Sequence, residues 1–154
     1  MNKLTRPQVK FPPPVFYLVM ILLGYGVNFL FPLQWQAGFL SYWVGIAMVG
    51  FGLMLVAWSA IEFRRHKTTI MPHKASSRII QAGPFKFSRN PIYTAFTIIQ
   101  LGVGIALGNI WILLLAIPAV LIMTKYVIER EEAFLKQEFG EEYLAYLQSV
   151  RRWI

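Results

Sequence analysis

Two stretches of this chain, residues 11–61 and 90–124, contain no charged side chain, and all 22 formal charges fall in three blocks, 3–10, 62–89 and 125–152. A helix needs about 20 mostly apolar residues to cross a hydrocarbon layer of about 30 Å. Uncharged runs of this length are what such crossings require, and few soluble folds tolerate them. Only 14% of the residues are charged and 56% are hydrophobic, whereas soluble domains carry about 25% charged residues. The net charge of +8 is crowded beside the apolar runs, as on cytoplasmic loops of membrane proteins. That placement argues against a nucleic-acid surface. Cys and Asp are absent and only two His occur, which excludes disulfides and thiol chemistry and leaves no donor set for a catalytic metal.

The first apolar run predicts a span over about 15–33. It is too long, and too bulky at its end (Asn28-Phe29-Leu30-Phe31-Pro32), for a cleaved secretory signal, so it reads as retained. After a short uncharged turn at 34–38, a second span is expected over about 39–61, followed by a basic cytoplasmic loop over 62–90. The stretch 90–124 decides the topology. Its 35 residues would make a single helix of about 52 Å, and one crossing would put basic segments on opposite sides of the membrane. Gly108-Asn109 supplies a turn near its middle. The expectation is therefore two short spans, 91–107 and 110–127, paired as a tight hairpin, with Pro118 kinking the second.

The fold class is thus an all-α integral membrane protein, one domain over 1–154 with four spans and both termini cytoplasmic. The tail 128–154 repeats apolar residues every three or four positions (Phe134, Leu135, Phe139, Tyr143, Leu147 and Val150). This pattern predicts amphipathic helices on the inner surface, broken at Gly140. A hairpin would bring the Arg89-Asn90-Pro91-Tyr93 junction beside the Glu129–Glu132 cluster. Each piece also has a plain structural reading. Asn90-Pro91 serves as a helix start, the glutamates as a solvated face, and Gly102 and Gly104 as helix-packing positions.

In their order, these pieces resemble a known family. The sequence reads S-x-x-I-I-x-x-GPF-x-x-S-RNP-x-Y, then an apolar stretch, then R-EE-x(6)-FG-EEY-x-x-Y. That succession is similar to the isoprenylcysteine carboxyl methyltransferase family, whose wider group includes phospholipid N-methyltransferases. The resemblance covers about residues 60–154. It implies a membrane enzyme that binds S-adenosylmethionine at the cytoplasmic end of the last two spans and methylates a lipophilic, membrane-resident acceptor. By position, cofactor contacts are implied for Ser77, Arg78, Ile79, Ile80, Phe85, Asn90, Pro91, Ile92, Tyr93 and Glu131. Glu132 completes an acidic pair, and Gly102 and Gly104 match a G-x-G element of related lipid methyltransferases. The family usually has His where Ser77 and Asn90 stand, and a substrate-binding Arg where Val127 stands. Arg89 or Arg130 is the replacement expected to orient an acceptor carboxylate. The short chain implies a prokaryotic cytoplasmic membrane.

Two other readings fit part of the pattern. A sterol-type reductase shares an Arg-x-Pro-x-Tyr turn but binds NADPH and needs a longer body. A non-catalytic membrane scaffold would use the same motif only as a folding signature.

Overall fold

The computed structural model describes residues 12–66 and 79–154. Helix α1 spans Pro13–Leu30 and α2 spans Phe39–Arg65; a 3-10 turn at Gly83–Lys86 leads to α3, Pro91–Leu107. The chain continues through α4 (Ile110–Leu114), α5 (Ala116–Met123), a π-helical turn at Thr124–Ile128, and α6 (Glu129–Ser149). Three helical runs, Pro13–Leu30, Phe39–Arg65 and Ile110–Ser149, are long and apolar enough to cross a membrane, and Pro91–Leu107 is a shorter apolar helix. Only 17% of the apolar window of α2 is buried inside the protein. Phe39, Leu40, Met54 and Ile61 face outward, which is stable against lipid and unfavourable against water.

The uncharged ends of the helices are tied together by backbone. Gly108 takes φ 61° and closes α3 in the left-handed region, where a side chain would collide with its own backbone. Its carbonyl accepts from Trp35 N at 3.1 Å, and Ile110 N donates to Leu33 O at 3.1 Å. Asn109 caps α4 by accepting from Ile112 N. Trp111 Nε1 donates to Phe31 O at 2.7 Å. After this reversal Gln100 Nε2 reaches Ile112 O at 3.0 Å. The two connecting segments thereby satisfy each other's backbone groups where little water is present to do so.

Packing follows residue size. Helices α2 and α3 approach closely because glycine meets glycine. A Cβ on Gly45 would lie 2.5 Å from Gly102 O, and one on Gly102 would lie 2.8 Å from Gly45 O. On the other side of α3, a core of Tyr17, Met20, Tyr93, Ala119, Met123, Val127 and Ile128 joins α1, α3, α5 and the π turn. Tyr17 Oη and Thr97 Oγ1 share a hydrogen bond of 2.8 Å there.

Several boundaries differ from those expected. Helix α2 runs on to Arg65, beyond the apolar limit at 61, because Arg65 and His66 both reach back to Glu62. The distortion attributed to Pro118 falls at Leu115, a single turn residue that keeps right-handed helical angles (φ −70°, ψ −11°) and donates to Trp111 O at 2.9 Å. Proline lacks an N–H for the Leu114 carbonyl and crowds it, so the distortion falls one turn earlier. The π turn was not anticipated. It begins where Thr124 Oγ1 bonds back to Val120 O at 2.7 Å, a side-chain contact that competes with the helical ladder. In α6 the chain leaves helical geometry at Gly140 (φ 50°, ψ −123°).

Gly45→Val should force α2 and α3 apart and lower the unfolding temperature in detergent by several degrees, as overpacking costs about 1–3 kcal/mol. Gly50→Ala, at a position with nothing within 4 Å, should leave it unchanged. Equal effects of the two would refute the close α2–α3 contact.

Candidate active site

At the start of α3, Pro91 is fully buried and Tyr93 nearly so. Pro91 has no N–H to satisfy and a fixed φ suited to the first helical turn. Asn90 occupies the N-cap position, but its side chain does not cap the helix. Instead Asn90 Nδ2 donates to Arg152 O at 2.9 Å. Arg89 N donates to Arg151 O at 2.9 Å. Val150 ends α6 in an extended conformation (φ −129°, ψ 135°), so residues 151–154 lie as a strap across the junction. Trp153 packs against the core containing Tyr93 and Val127.

The reversal at Gly108 brings α6 to the same place. Tyr93 Oη donates to Glu131 Oε1 at 2.9 Å. Beside it, Glu132 is buried and takes a two-point hold from Arg152: Nε to Oε1 at 3.1 Å and Nη2 to Oε2 at 2.8 Å. Arg89 Nη1 lies 3.2 Å from Glu132 Oε1, but outside hydrogen-bonding direction. Among the described residues, Nε and Nη1 of Arg89 are therefore buried donors with no well-directed hydrogen bond, on a side chain only 11% exposed.

The two neighbouring carboxylates, which lie beyond the uncharged run, are driven apart electrostatically. Burial pushes the Glu131 carboxyl up; the Tyr93 hydrogen bond pulls it partway back, the Glu132 charge adds to the rise, and it titrates at about 7. Burial acts on Glu132 in the same sense. The hydrogen bonds from Arg152 and the charge of Arg89 outweigh it, so Glu132 titrates below its usual range. The result is a carboxylate whose hydrogen-bond partner is a neutral hydroxyl, next to a buried guanidinium with two donors unmet. Such a pair is complementary to an ammonium and a carboxylate on one ligand or on two.

Among the residues expected at the site, Arg89, Asn90, Pro91, Tyr93, Glu131 and Glu132 are brought together. Ile92 packs beside the core at the same level, and Ile80 is buried while Ile79 is partly exposed. Ser77 and Arg78 lie outside the described residues. The Phe85 ring is turned away from the cluster: it meets Phe63 edge-on at 5.4 Å, and its carbonyl accepts from Tyr146 Oη at 2.7 Å. Gly102 and Gly104 are not at the site either. They lie nine and eleven residues along α3 from Tyr93, about 13 Å or more at 1.5 Å per residue. Gly102 packs on α2, and Gly104 packs on Leu113 of α4. Arg130 sits with its guanidinium 5.8 Å from the Tyr126 ring centroid.

Arg152 was not singled out from the sequence, and Tyr146 entered only as the last residue of the EEY-x-x-Y motif. Arg152 stands in a charged tail where nothing distinguishes it from Arg151. Tyr146 lies one residue off the stripe drawn through Tyr143 and Leu147, yet it is the more deeply buried neighbour of Leu147. A regular count across Gly140 misplaces the face, because that glycine resets the helix.

A cavity of about 240 Å³ opens between α2 and α3 beside the junction, lined by Phe51, Leu55, Trp58, Phe87, Pro91 and Ile98 among others. Ser88 and Thr94 also line it, but the surface it exposes is contributed by apolar atoms.

A probable protein-S-isoprenylcysteine O-methyltransferase of rice (Oryza sativa subsp. indica) is 30% identical over 126 residues, covering 79% of this chain and 64% of that protein. Protein-S-isoprenylcysteine O-methyltransferase B of Arabidopsis thaliana is 27% identical over 117 residues, covering 71% of this chain and 58% of that protein. This chain thus spans roughly three fifths of the length of these plant relatives. An uncharacterized protein of Haemophilus influenzae is 38% identical over 63 residues, which is its whole length and 41% of this chain. No solved structure matches. The phospholipid methyltransferase family matches residues 40–142, from the start of α2 through the Tyr93–Glu131 contact and past Gly140, and the chain belongs to that family.

Proposed function

We infer that this chain is an S-adenosylmethionine-dependent methyltransferase acting on a lipophilic acceptor that reaches it from the bilayer, with O-methylation of a carboxylate favoured. The observation that carries the reading is the pairing of Glu131, bonded to a neutral hydroxyl, with the unmet donors of Arg89. Bound S-adenosylmethionine would supply a methyl group on a positively charged sulfonium, together with an ammonium and a carboxylate at its amino-acid end. Glu131 suits the ammonium, and Tyr93 holds that carboxylate in place from the opposite side. Arg89 offers Nε and Nη1 to a carboxylate, either that of the cofactor or that of the acceptor. Burial strengthens both contacts by excluding water.

The apolar cavity beside Pro91 suits a hydrocarbon chain and supports an acceptor dissolved in the membrane. A carboxylate acceptor is already a nucleophile, so the demand on the protein is alignment rather than proton removal. Ser77 and Arg78, together with Ile79 and Ile80, remain the proposed continuation of the cofactor site on the loop. Phe85 is assigned to packing against Phe63, and Gly102 and Gly104 to helix contacts. Arg130 keeps a proposed role in orienting the acceptor, second to Arg89. The four-span arrangement, with both termini and the site in the cytoplasm, follows the distribution of basic residues.

Binding of S-adenosylhomocysteine by detergent-solubilised protein tests the reading. Glu131→Gln should weaken it by about 10- to 100-fold, the worth of a hydrogen bond to a charged group, while the protein stays folded. Unchanged affinity would remove Glu131 from the site.

The titration of Glu131 at about 7 gives a signed pH dependence. The ligand ammonium needs the ionised carboxylate, so affinity should rise about tenfold from pH 6 to pH 8 and then level off. In Glu131→Gln the profile should be flat. Without ligand the sign reverses: folded Glu131 holds its proton from its ordinary 4.5 up to about 7. Its contribution to stability is therefore full below 4.5 and is lost as pH rises through that window. Unfolding temperatures of wild type and Glu131→Gln should diverge across the same interval, and parallel curves would contradict the assignment.

A further inference from the structure

Glu132 has two oxygens, and Arg152 takes both, at 3.1 and 2.8 Å. Arg89 stands 3.2 Å from the oxygen already bonded by Arg152 Nε. Its charge is balanced there, but among the described residues Nε and Nη1 make no well-directed hydrogen bond. Buried donors in that state are unfavourable and call for an explanation. The backbone around Arg152 holds Arg89 in this position as well. Arg151 O accepts from Arg89 N, and Arg152 O accepts from Asn90 Nδ2, so the tail is tied to residues 89 and 90 at two points.

Without the Arg152 guanidinium, Glu132 would be free to turn both oxygens toward Arg89, whose Nη1 already lies 3.2 Å from Oε1. A guanidinium and a carboxylate so placed close into a two-point pair. Arg89 would then be satisfied internally and would have nothing to offer a ligand. We propose that Arg152 is a positioning residue that holds Glu132 by both oxygens and thereby keeps two donors of Arg89 open for a ligand carboxylate. The proposal rests on the methyltransferase reading, which supplies two sources for that carboxylate, the amino-acid end of the cofactor and the lipophilic acceptor.

The test is a comparison of paired ligands on the full chain in lipid nanodiscs. One pair is S-adenosylhomocysteine and its decarboxylated analogue; the other is palmitate and hexadecanol. Wild type should prefer the carboxylated member of one pair by about tenfold or more, and the pair that shows the preference identifies the source. Arg152→Gln should shrink that preference to about twofold or less while the uncharged partner binds within about twofold of wild type. Arg152→Lys, a point charge able to hold only one oxygen, should fall between. If Arg152→Gln does not fold, Arg152→Lys decides: a reduced preference supports the proposal and an unchanged one overturns it. Equal loss of both members of a pair would mean a purely structural role and would overturn it. So would a preference that survives in Arg152→Gln, or no preference in wild type for either pair. A wild type that binds no S-adenosylhomocysteine would defeat the methyltransferase reading and this proposal with it. Binding with an unaltered preference would defeat the proposal alone.

Discussion

A carboxylate buried at the end of the apolar region can stay ionised only if positive charge is fixed beside it, and Glu132 meets that condition twice. Its side chain is 8% exposed, where an isolated charge would be strongly disfavoured. Arg89 comes from the loop before α3 and Arg152 from the strap after α6, so one anion ties three separate parts of the chain. Breaking a buried pair of this kind by removing one partner typically costs about 3–5 kcal/mol. The cluster therefore fixes where α6 begins relative to α3, and with it the meeting of Tyr93 and Glu131.

Backbone polarity imposes the next constraint. Irregular segments next to lipid are stable only when their N–H and C=O groups are paired, and the 88–90 segment is irregular. Asn90 N reaches Ser88 Oγ at 3.1 Å, while Arg89 N and the Asn90 amide turn to the strap. Tyr146, on the same side, satisfies the carbonyl of Phe85. The tail acts here as a surrogate strand for a junction that can form neither helix nor sheet. That explains why the Asn90 side chain, a good N-cap by type, is used elsewhere: the carbonyl of Arg152 is nearer to a buried need than the exposed geometry of an ordinary cap.

The sequence made legible those features that depend on long sums or strong local chemistry. Uncharged runs of 51 and 35 residues required helices beside lipid, Gly108-Asn109 marked a reversal, and Pro91 marked a helix start. The approach of Tyr93 to Glu131 followed from these and from the family pattern. What stayed hidden depends on which face a side chain takes after an irregularity. The irregular turn at Leu115 and the π turn at Thr124–Ile128 rotate α6 in a way no fixed period reproduces. Gly102 and Gly104 illustrate a different ambiguity, since a glycine pair at helical spacing suits a ligand or a neighbouring helix equally well, and here α2 and α4 occupy both. Phe85 was assigned by position in a motif, yet its ring finds more apolar contact against Phe63 than an open site would give.

The adjacent glutamates show how environment alone separates two identical groups. One faces a tyrosine hydroxyl and holds its proton to about 7, while the other faces guanidinium groups and is held ionised. The family resemblance implies an arginine where this chain has Val127, and Val127 is buried in the core with Tyr17 and Met123. A charge at that position would have to be accommodated among apolar neighbours, so any cation serving a ligand carboxylate has to approach from another element. Arg89 meets that need on physical grounds, since it is already buried, already balanced by Glu132, and still has donors unmet.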